Sequence, residues 1–208
     1  MTQQKTFHIK GLTISLQPTV YEPAEDTYQL LDAITIHPND IVLELGTGCG
    51  LIALECARQG AHVICTDLNP HAVEVTQYNI TQNQHLLKGS IEVRHGDLFN
   101  PIKKNEQFTL IIFNPPYLPL KRHEHSKEDK WLDLATDGGI TGLKTTKKFL
   151  TQVPKFLKKD GYAYFIFSSL ANRTILTQHL TRLNLQAEIL STCHFIDESL
   201  DVYRISLP

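Results

Sequence analysis

The chain has 208 residues, 41% hydrophobic and 20% charged, the make-up of a folded domain with one sizeable core rather than a disordered or fibrous chain. Lys plus Arg number 20 against 22 Asp plus Glu, a formal charge of −2, which excludes a strongly basic nucleic-acid coat and an acidic disordered tail. No stretch approaches the ~18 consecutive apolar residues of a membrane span, and residues 1–7 lack the apolar run of a secretory leader, so a single domain over 1–208 working in the cytoplasm is expected.

Taken in order, residues 6–16 predict a small hairpin turning at Gly11, within an N-terminal extension over 1–20. Ile41 to Leu45 is a short apolar run and predicts the first core strand. Residues 51–58 read as a helix that stops at Gly60, and 61–66 as a second strand. A helix over 70–83 has Pro70 in its first turn, where the missing N–H costs nothing. Strands follow at 90–95 and 109–113, the latter almost purely β-branched and aromatic. Residues 118–137 are polar and weakly periodic and are expected to form a substrate lid loop. A helix over 145–157, a strand over 162–167, a helix over 171–183 and strands at 186–193 and 201–207 close the chain.

Alternating strands and helices predict an α/β fold, a mostly parallel sheet covered by helices on both faces. The last two strands are joined by a linker too short for a crossover, so they must be antiparallel. Four cysteines, at 49, 56, 65 and 193, include no C-x-x-C pair, so no zinc ribbon or dithiol motif is present and reduced thiols are expected.

Three segments at the carboxyl ends of strands carry chemistry. Glu44-Leu-Gly-Thr-Gly-Cys-Gly50 leaves a strand and opens a helix. Its glycines admit left-handed backbone and close ligand approach, and the helix start turns N–H groups outward. The spacing is neither the dinucleotide G-x-G-x-x-G, since Leu51 stands where its last glycine should be, nor a P-loop. Asp67 ends the next strand, where an acid binds a ribose diol in nucleotide-binding sheets; the alternative is the N-cap of the helix that contains Pro70. Asp97 and Leu98, in Gly96-Asp-Leu-Phe99, are candidates to accept an adenine amine and to pack on its ring.

Asn114-Pro-Pro-Tyr117 directly follows the strand over 109–113. Asn114 is pushed into the extended region by the following proline, and Pro115 and Pro116 fix two successive φ angles. The result is a stiff platform offering the Asn114 side-chain oxygen and the Pro115 carbonyl as acceptors for the two hydrogens of a planar –NH2. Tyr117 adds a flat surface for a conjugated group. This suits methyl transfer to a weakly nucleophilic nitrogen, because most of the rate then comes from alignment rather than from a strong base.

Together these motifs resemble the HemK/PrmC family of S-adenosylmethionine-dependent glutamine methyltransferases, over about residues 18–208. The likeness is to its short archaeal and eukaryotic branch, which modifies class I translation release factors at a Gly-Gly-Gln loop. Val20-Tyr-Glu-Pro-Ala-Glu-Asp-Thr27 is similar to that branch's segment over the cofactor. The resemblance implies a seven-stranded class I methyltransferase fold with an antiparallel C-terminal hairpin. It implies cofactor contacts from Thr27, Glu44, Gly46, Thr47, Gly48, Gly50, Asp67, Leu68, Asp97, Leu98 and Asn114, and a catalytic platform of Asn114, Pro115, Pro116 and Tyr117.

It also implies a heterodimer with a small zinc-binding activator subunit, pairing with the edge strand Ile91-Glu-Val-Arg94. The alternative acceptors are the exocyclic amine of a base such as adenine, or another protein side chain. The charge balance and the lack of a recognition domain argue against direct nucleic-acid binding. No metal site is expected: His123, His125 and the basic residues 121, 122, 127 and 130 read as a mixed solvated loop, and Glu25 and Asp26 as acids serving a helix N-terminus.

Overall fold

The computed structural model describes residues 5–119 and 130–208; the histidines at 123 and 125 and most of the basic loop lie outside them. Among the described residues the order is β1 (Lys5–Ile9), β2 (Leu12–Leu16), α1 (Glu25–Ala33), β3 (Ile41–Leu45), α2 (Leu51–Arg58), β4 (His62–Asp67), α3 (Pro70–Asn83), β5 (Ser90–His95), β6 (Phe108–Phe113), α4 (Lys130–Thr136), α5 (Lys144–Phe156), β7 (Leu157–Ser168), α6 (Arg173–Arg182), β8 (Gln186–His194) and β9 (Ser199–Ser206).

Seven strands form one sheet in the order β5-β4-β3-β6-β7-β9-β8. The first five run parallel, while β9 is antiparallel to both β7 and β8. This is the class I methyltransferase architecture, and the antiparallel end follows from the short β8–β9 connection. The chain winds outward from β3 to β5, then returns to β6 on the other side of β3. That reversal opens a crevice at the carboxyl ends of β3, β4 and β6, where α/β sheets bind ligands.

The central strands are apolar on both faces, as buried parallel strands must be. Val42, Leu110 and Ile112 pack toward α1 and α2 with Leu30, Ile52 and Ala53. Leu43, Ile111 and Phe113 point the other way, toward α5 and α6, into an aromatic core of Phe99, Phe149, Phe156 and Phe165. Alternate residues of one strand thereby anchor two separate layers.

Four features depart from expectation. α1 was anticipated only as a helix N-terminus at Glu25 and Asp26 and its extent was not, although Thr27, Leu30, Leu31 and Ile34 show the i, i+3, i+4, i+7 spacing of a buried helix face. The 118–137 segment is not loop throughout: 130–136 is α4, and Leu118 bridges Asp137 in parallel. The helix expected over 145–157 runs one residue earlier, so Leu157 begins β7 rather than ending α5. β7 begins there because Leu157 already pairs with Phe108; a bulge around Lys158–Gly161 (158–161) then shifts the register to Leu110↔Tyr162. A Cβ on Gly161 would lie 2.8 Å from the Thr109 carbonyl oxygen, so only glycine lets the bulge close.

The N-terminal hairpin turns at Lys10 (φ 50°) and Gly11 (φ 83°), the pair of left-handed residues that matches strand twist. It is not a loose extension. Leu12, Ile14 and Leu16 are buried against α2 and α3 with Leu51, Leu54 and Val75. Two asparagines of α3 replace a missing neighbour strand. Asn79 Oδ1 accepts the Ser15 N–H at 2.9 Å, and its Nδ2 donates to the Ser15 and Cys49 carbonyls, both at 2.9 Å. One turn on, Asn83 Oδ1 accepts the Thr13 N–H at 2.9 Å and its Nδ2 donates to the Thr13 carbonyl at 2.8 Å.

Asn79 is fully buried, so Asn79→Ala strands three buried backbone groups at ~1–3 kcal/mol each. The expected loss is about 3 kcal/mol or more, a fall in Tm of roughly 10 °C for a chain of this size. Calorimetric melting tests this, and a Tm within about 2 °C of wild type refutes the clip.

Candidate functional site

A cavity of about 470 Å³ opens at the carboxyl ends of β3, β4 and β6, and every anticipated site residue except Gly50 lines it. The glycine loop forms one wall. Gly46 and Gly48 hold φ of 64° and 58°; the loop is pinned where Thr47 N–H reaches the Thr66 carbonyl at 3.0 Å. Gly50 has a different task. It is the left-handed N-cap of α2, φ 84°, and a Cβ there would lie 2.8 Å from the Thr76 side chain. It brings α2 and α3 together and stands outside the cavity lining.

Two acids face the cavity from adjacent strands. Asp67 Oδ2 accepts the Gly48 N–H at 2.9 Å and Oδ1 the Asn69 N–H at 2.8 Å. The cap alternative for Asp67 is corrected, because the N-cap of α3 is Asn69, whose Oδ1 accepts the His71 N–H at 3.0 Å. Burial raises the Asp67 pKa, opposed by these backbone donors. Glu44 is almost wholly buried; Thr47 Oγ1 donates to its Oε2 at 2.7 Å. Burial still pushes its carboxyl up to about 8, with the nearby Asp67 charge adding to the rise. A buried acid beside a second acid favours a cationic ligand, which would restore its ionised form.

Asp97 and Leu98 follow β5. Leu98 is buried with φ 49°, an unusual backbone for a branched residue and one found at ligand sites. Its carbonyl is tied to Thr66 Oγ1 at 3.2 Å. Asp97 is half exposed, with Lys148 Nζ 4.0 Å away.

The platform leaves β6 beside these groups. Asn114 Oδ1 is buried and has no hydrogen-bond donor among the described residues. Its Nδ2 is 3.4 Å from Thr27 Oγ1, which turns the oxygen the other way. Thr27 Oγ1 in turn donates to Asp26 Oδ1 at 3.1 Å. Asp26 was read as a helix-terminus acid. It does lie in the first turn of α1, but its buried carboxylate also accepts the hydroxyls of Tyr21 at 3.1 Å and Tyr117 at 3.2 Å. Burial, then the Asp26 charge, raises both tyrosine pKa values, so both remain hydrogen-bond donors at neutral pH. Asp26 thus fastens α1 to the Tyr117 ring. Tyr21 is five residues away, but Tyr117 lies 91 residues on, so spacing alone gave no sign of this role. Trp131 and Leu134 of α4, within the segment expected to form the substrate lid, also line the cavity, as does Lys144 of α5, which was not anticipated.

An orphaned buried acceptor, one buried and one half-buried acid and an open glycine loop fit a cationic nucleoside cofactor that presents its reactive end to a hydrogen-bonded amide. Comparison with known proteins gives the same picture. The family model described as "Methyltransferase small domain" matches residues 23–190. The chain is 37% identical over 182 residues to a putative protein N5-glutamine methyltransferase of Methanocaldococcus jannaschii, covering 87% of this chain and 88% of the relative. It is 32% identical over 160 residues to human methyltransferase HEMK2, covering 71% of each. Among solved structures it is similar to the E. cuniculi Mtq2–Trm112 complex, described as responsible for methylation of the eRF1 termination factor. The TM-score is 0.65 at 25% identity, over 91% of this chain and 99% of that one.

The Glu44 shift has a stability consequence of defined sign. Its carboxyl is raised from 4.5 unfolded to about 8 folded, so its contribution is fully present below pH ~4.5 and is lost as pH rises toward ~8. Glu44→Gln is expected to flatten the fall in Tm of the ligand-free chain between pH ~5 and ~8. Melting curves across that range test it; parallel pH profiles for the two proteins would contradict it.

Proposed function

Because the chain belongs to the methyltransferase small domain family, we propose that it methylates the side-chain amide nitrogen of a glutamine in the Gly-Gly-Gln loop of a class I translation release factor. The cofactor is S-adenosylmethionine. The observation that carries this reading is the donor-free, buried Asn114 oxygen beside the cavity. The names of the relatives and of the Mtq2–Trm112 complex support it.

Asp67 would hold the ribose diol, Asp97 the adenine amine and Leu98 one face of the ring. Glu44, Gly46, Thr47, Gly48, Leu68 and Thr27 would contact the rest. When bound, S-adenosylmethionine supplies a methyl carbon made electrophilic by its sulfonium. The chain's own residues prepare the nucleophile. Asn114 Oδ1 and the Pro115 carbonyl accept the two amide hydrogens, which turns the nitrogen lone pair away from them and favours its pyramidalisation. Pro115 and Pro116 stiffen the backbone that carries the two acceptors, and the contact of Nδ2 with Thr27 Oγ1 orients the Asn114 side chain. The Tyr117 ring, fastened through its hydroxyl to Asp26, supports the planar amide. Positive charge developing on nitrogen is stabilised at Asn114 Oδ1, and the surplus proton passes from that hydrogen bond to water.

A small partner subunit, as in the Mtq2–Trm112 complex, would add a strand to β5, which among the described residues is an edge strand paired with β4 alone. The segment is Ile91 to Arg94, and the zinc belongs to the partner. The assembly works in the cytoplasm.

Incubation with labelled cofactor, the partner and a purified class I release factor should label the Gly-Gly-Gln glutamine; no transfer with all components present refutes the reading. Asn114→Ala should lower kcat by about 10²–10³-fold, as loss of a transition-state hydrogen-bonding group does, while cofactor affinity measured by calorimetry stays unchanged. Asp67→Asn should weaken cofactor binding by about 2 kcal/mol, roughly thirtyfold; an unchanged Kd would remove Asp67 from the ribose site.

A further inference from the structure

Large apolar side chains stand in water at one end of the molecule. Phe195 is 44% exposed and Ile196 is 100% exposed, both at the tip of the β8–β9 hairpin. The tip is held firmly. Ser169 N–H donates to the Ser199 carbonyl and Ser199 N–H to Ser169 Oγ, each at 2.8 Å. Ser168 Oγ donates to Glu198 Oε1 at 2.5 Å, and Phe195 N–H closes the turn on the Glu198 carbonyl at 2.7 Å. A rigid turn that presents an isoleucine wholly to solvent forgoes the burial free energy that normally selects this residue.

The start of β9 pairs with the end of β7 (Leu200 opposite Ser168), so the tip lies at the carboxyl end of the parallel strands, the end from which Asn114 leaves β6. The charge of Glu198 is felt at the hydroxyls of Tyr21 and Tyr117. Ile140, 81% exposed, and Leu170, 46% exposed, share this rim. The Ile140 loop is wedged beside the platform, since a Cβ on Gly142 would lie 2.6 Å from both the Tyr117 carbonyl oxygen and Ala171 Cβ. Asp197 and Glu198 add negative charge to the tip; the cations lining the cavity, Lys144 and Lys148, sit on α5.

We propose that this hairpin tip, with Ile140 and Leu170, is the docking lip for the protein substrate: it seats an apolar side chain of the segment flanking the acceptor glutamine, with a basic neighbour facing Asp197 and Glu198. The inference rests on the functional reading above. The occupant follows from position, because a protein that delivers a side-chain amide to Asn114 must cover the carboxyl end of the sheet. The exposed Asp197 and the half-buried Glu198 make a basic neighbour the residue type this lip accepts beside that side chain. A partner strand on β5 would sit at the opposite edge of the sheet from β8, so the lip stays available in the complex.

The test uses the chain with its partner subunit, an eRF1-type class I release factor as the probe, and steady-state methylation. Phe195→Ser/Ile196→Ser should raise KM for the factor about tenfold with kcat within about twofold of wild type, the pattern of lost ground-state binding. Cofactor Kd and Tm should not move. Asp197→Lys should raise KM about threefold, and wild-type KM should climb with salt. The single Ile196→Ser, at a fully exposed position, replaces the double variant if that one loses thermal stability. Methylation by wild type with KM unchanged in these variants overturns the docking lip and leaves the function standing. A wild-type chain that neither binds nor methylates the factor overturns both.

Discussion

A buried amide oxygen without a donor costs about 1–3 kcal/mol, and the fold holds Asn114 Oδ1 in that state. Asn114 cannot relax away from it. Behind it, Phe113 is paired in β6 between β3 and β7, and ahead of it two prolines remove the freedom to rotate. Its amide nitrogen faces Thr27, so a flip would bring a donor toward the cavity and lose that neighbour. The cost is offset by the surrounding sheet, and what remains is an acceptor already aimed. The proposed chemistry depends on that preorganisation, because it asks for alignment rather than for a strong base.

Three carboxylates around the cavity show how environment separates side chains of the same kind. Asp26 is buried but fully engaged, accepting two tyrosine hydroxyls and the hydroxyl of Thr27, and it serves as a mechanical fastener between α1 and the platform. Glu44 is as deeply buried, yet its hydrogen bonds do not make up for lost solvation, and its carboxyl rises to about 8. Asp67 lies between these cases, raised by burial and held by two backbone donors. One acid fixes geometry, while burial holds the other two above the ordinary carboxylate range.

The glycine loop depends on structure well outside the sheet. Cys49, inside the loop, gives its carbonyl to Asn79, the residue that also grips β2. The N-terminal hairpin, α3 and the loop are therefore one mechanical unit. Gly50 belongs to the same unit, since its missing side chain is what lets Thr76 of α3 approach α2.

The core sheet was legible in the primary structure because parallel strands buried on both faces read as short apolar runs, and β3, β5 and β6 fell at or within one residue of their expected bounds. The site motifs were legible for a related reason: each sits at the carboxyl end of such a run and carries residues whose backbone or polar chemistry suits nothing else well. What tertiary structure alone decided lies in pairings between distant segments. The clasp of Asp26 on Tyr117, the asparagine clip on β2 and the bulge that starts β7 at Leu157 all join residues whose contacts leave no periodic trace. Local spacing specifies which face of an element is buried; it cannot specify what that face meets, because the partner is set by the packing of the whole sheet.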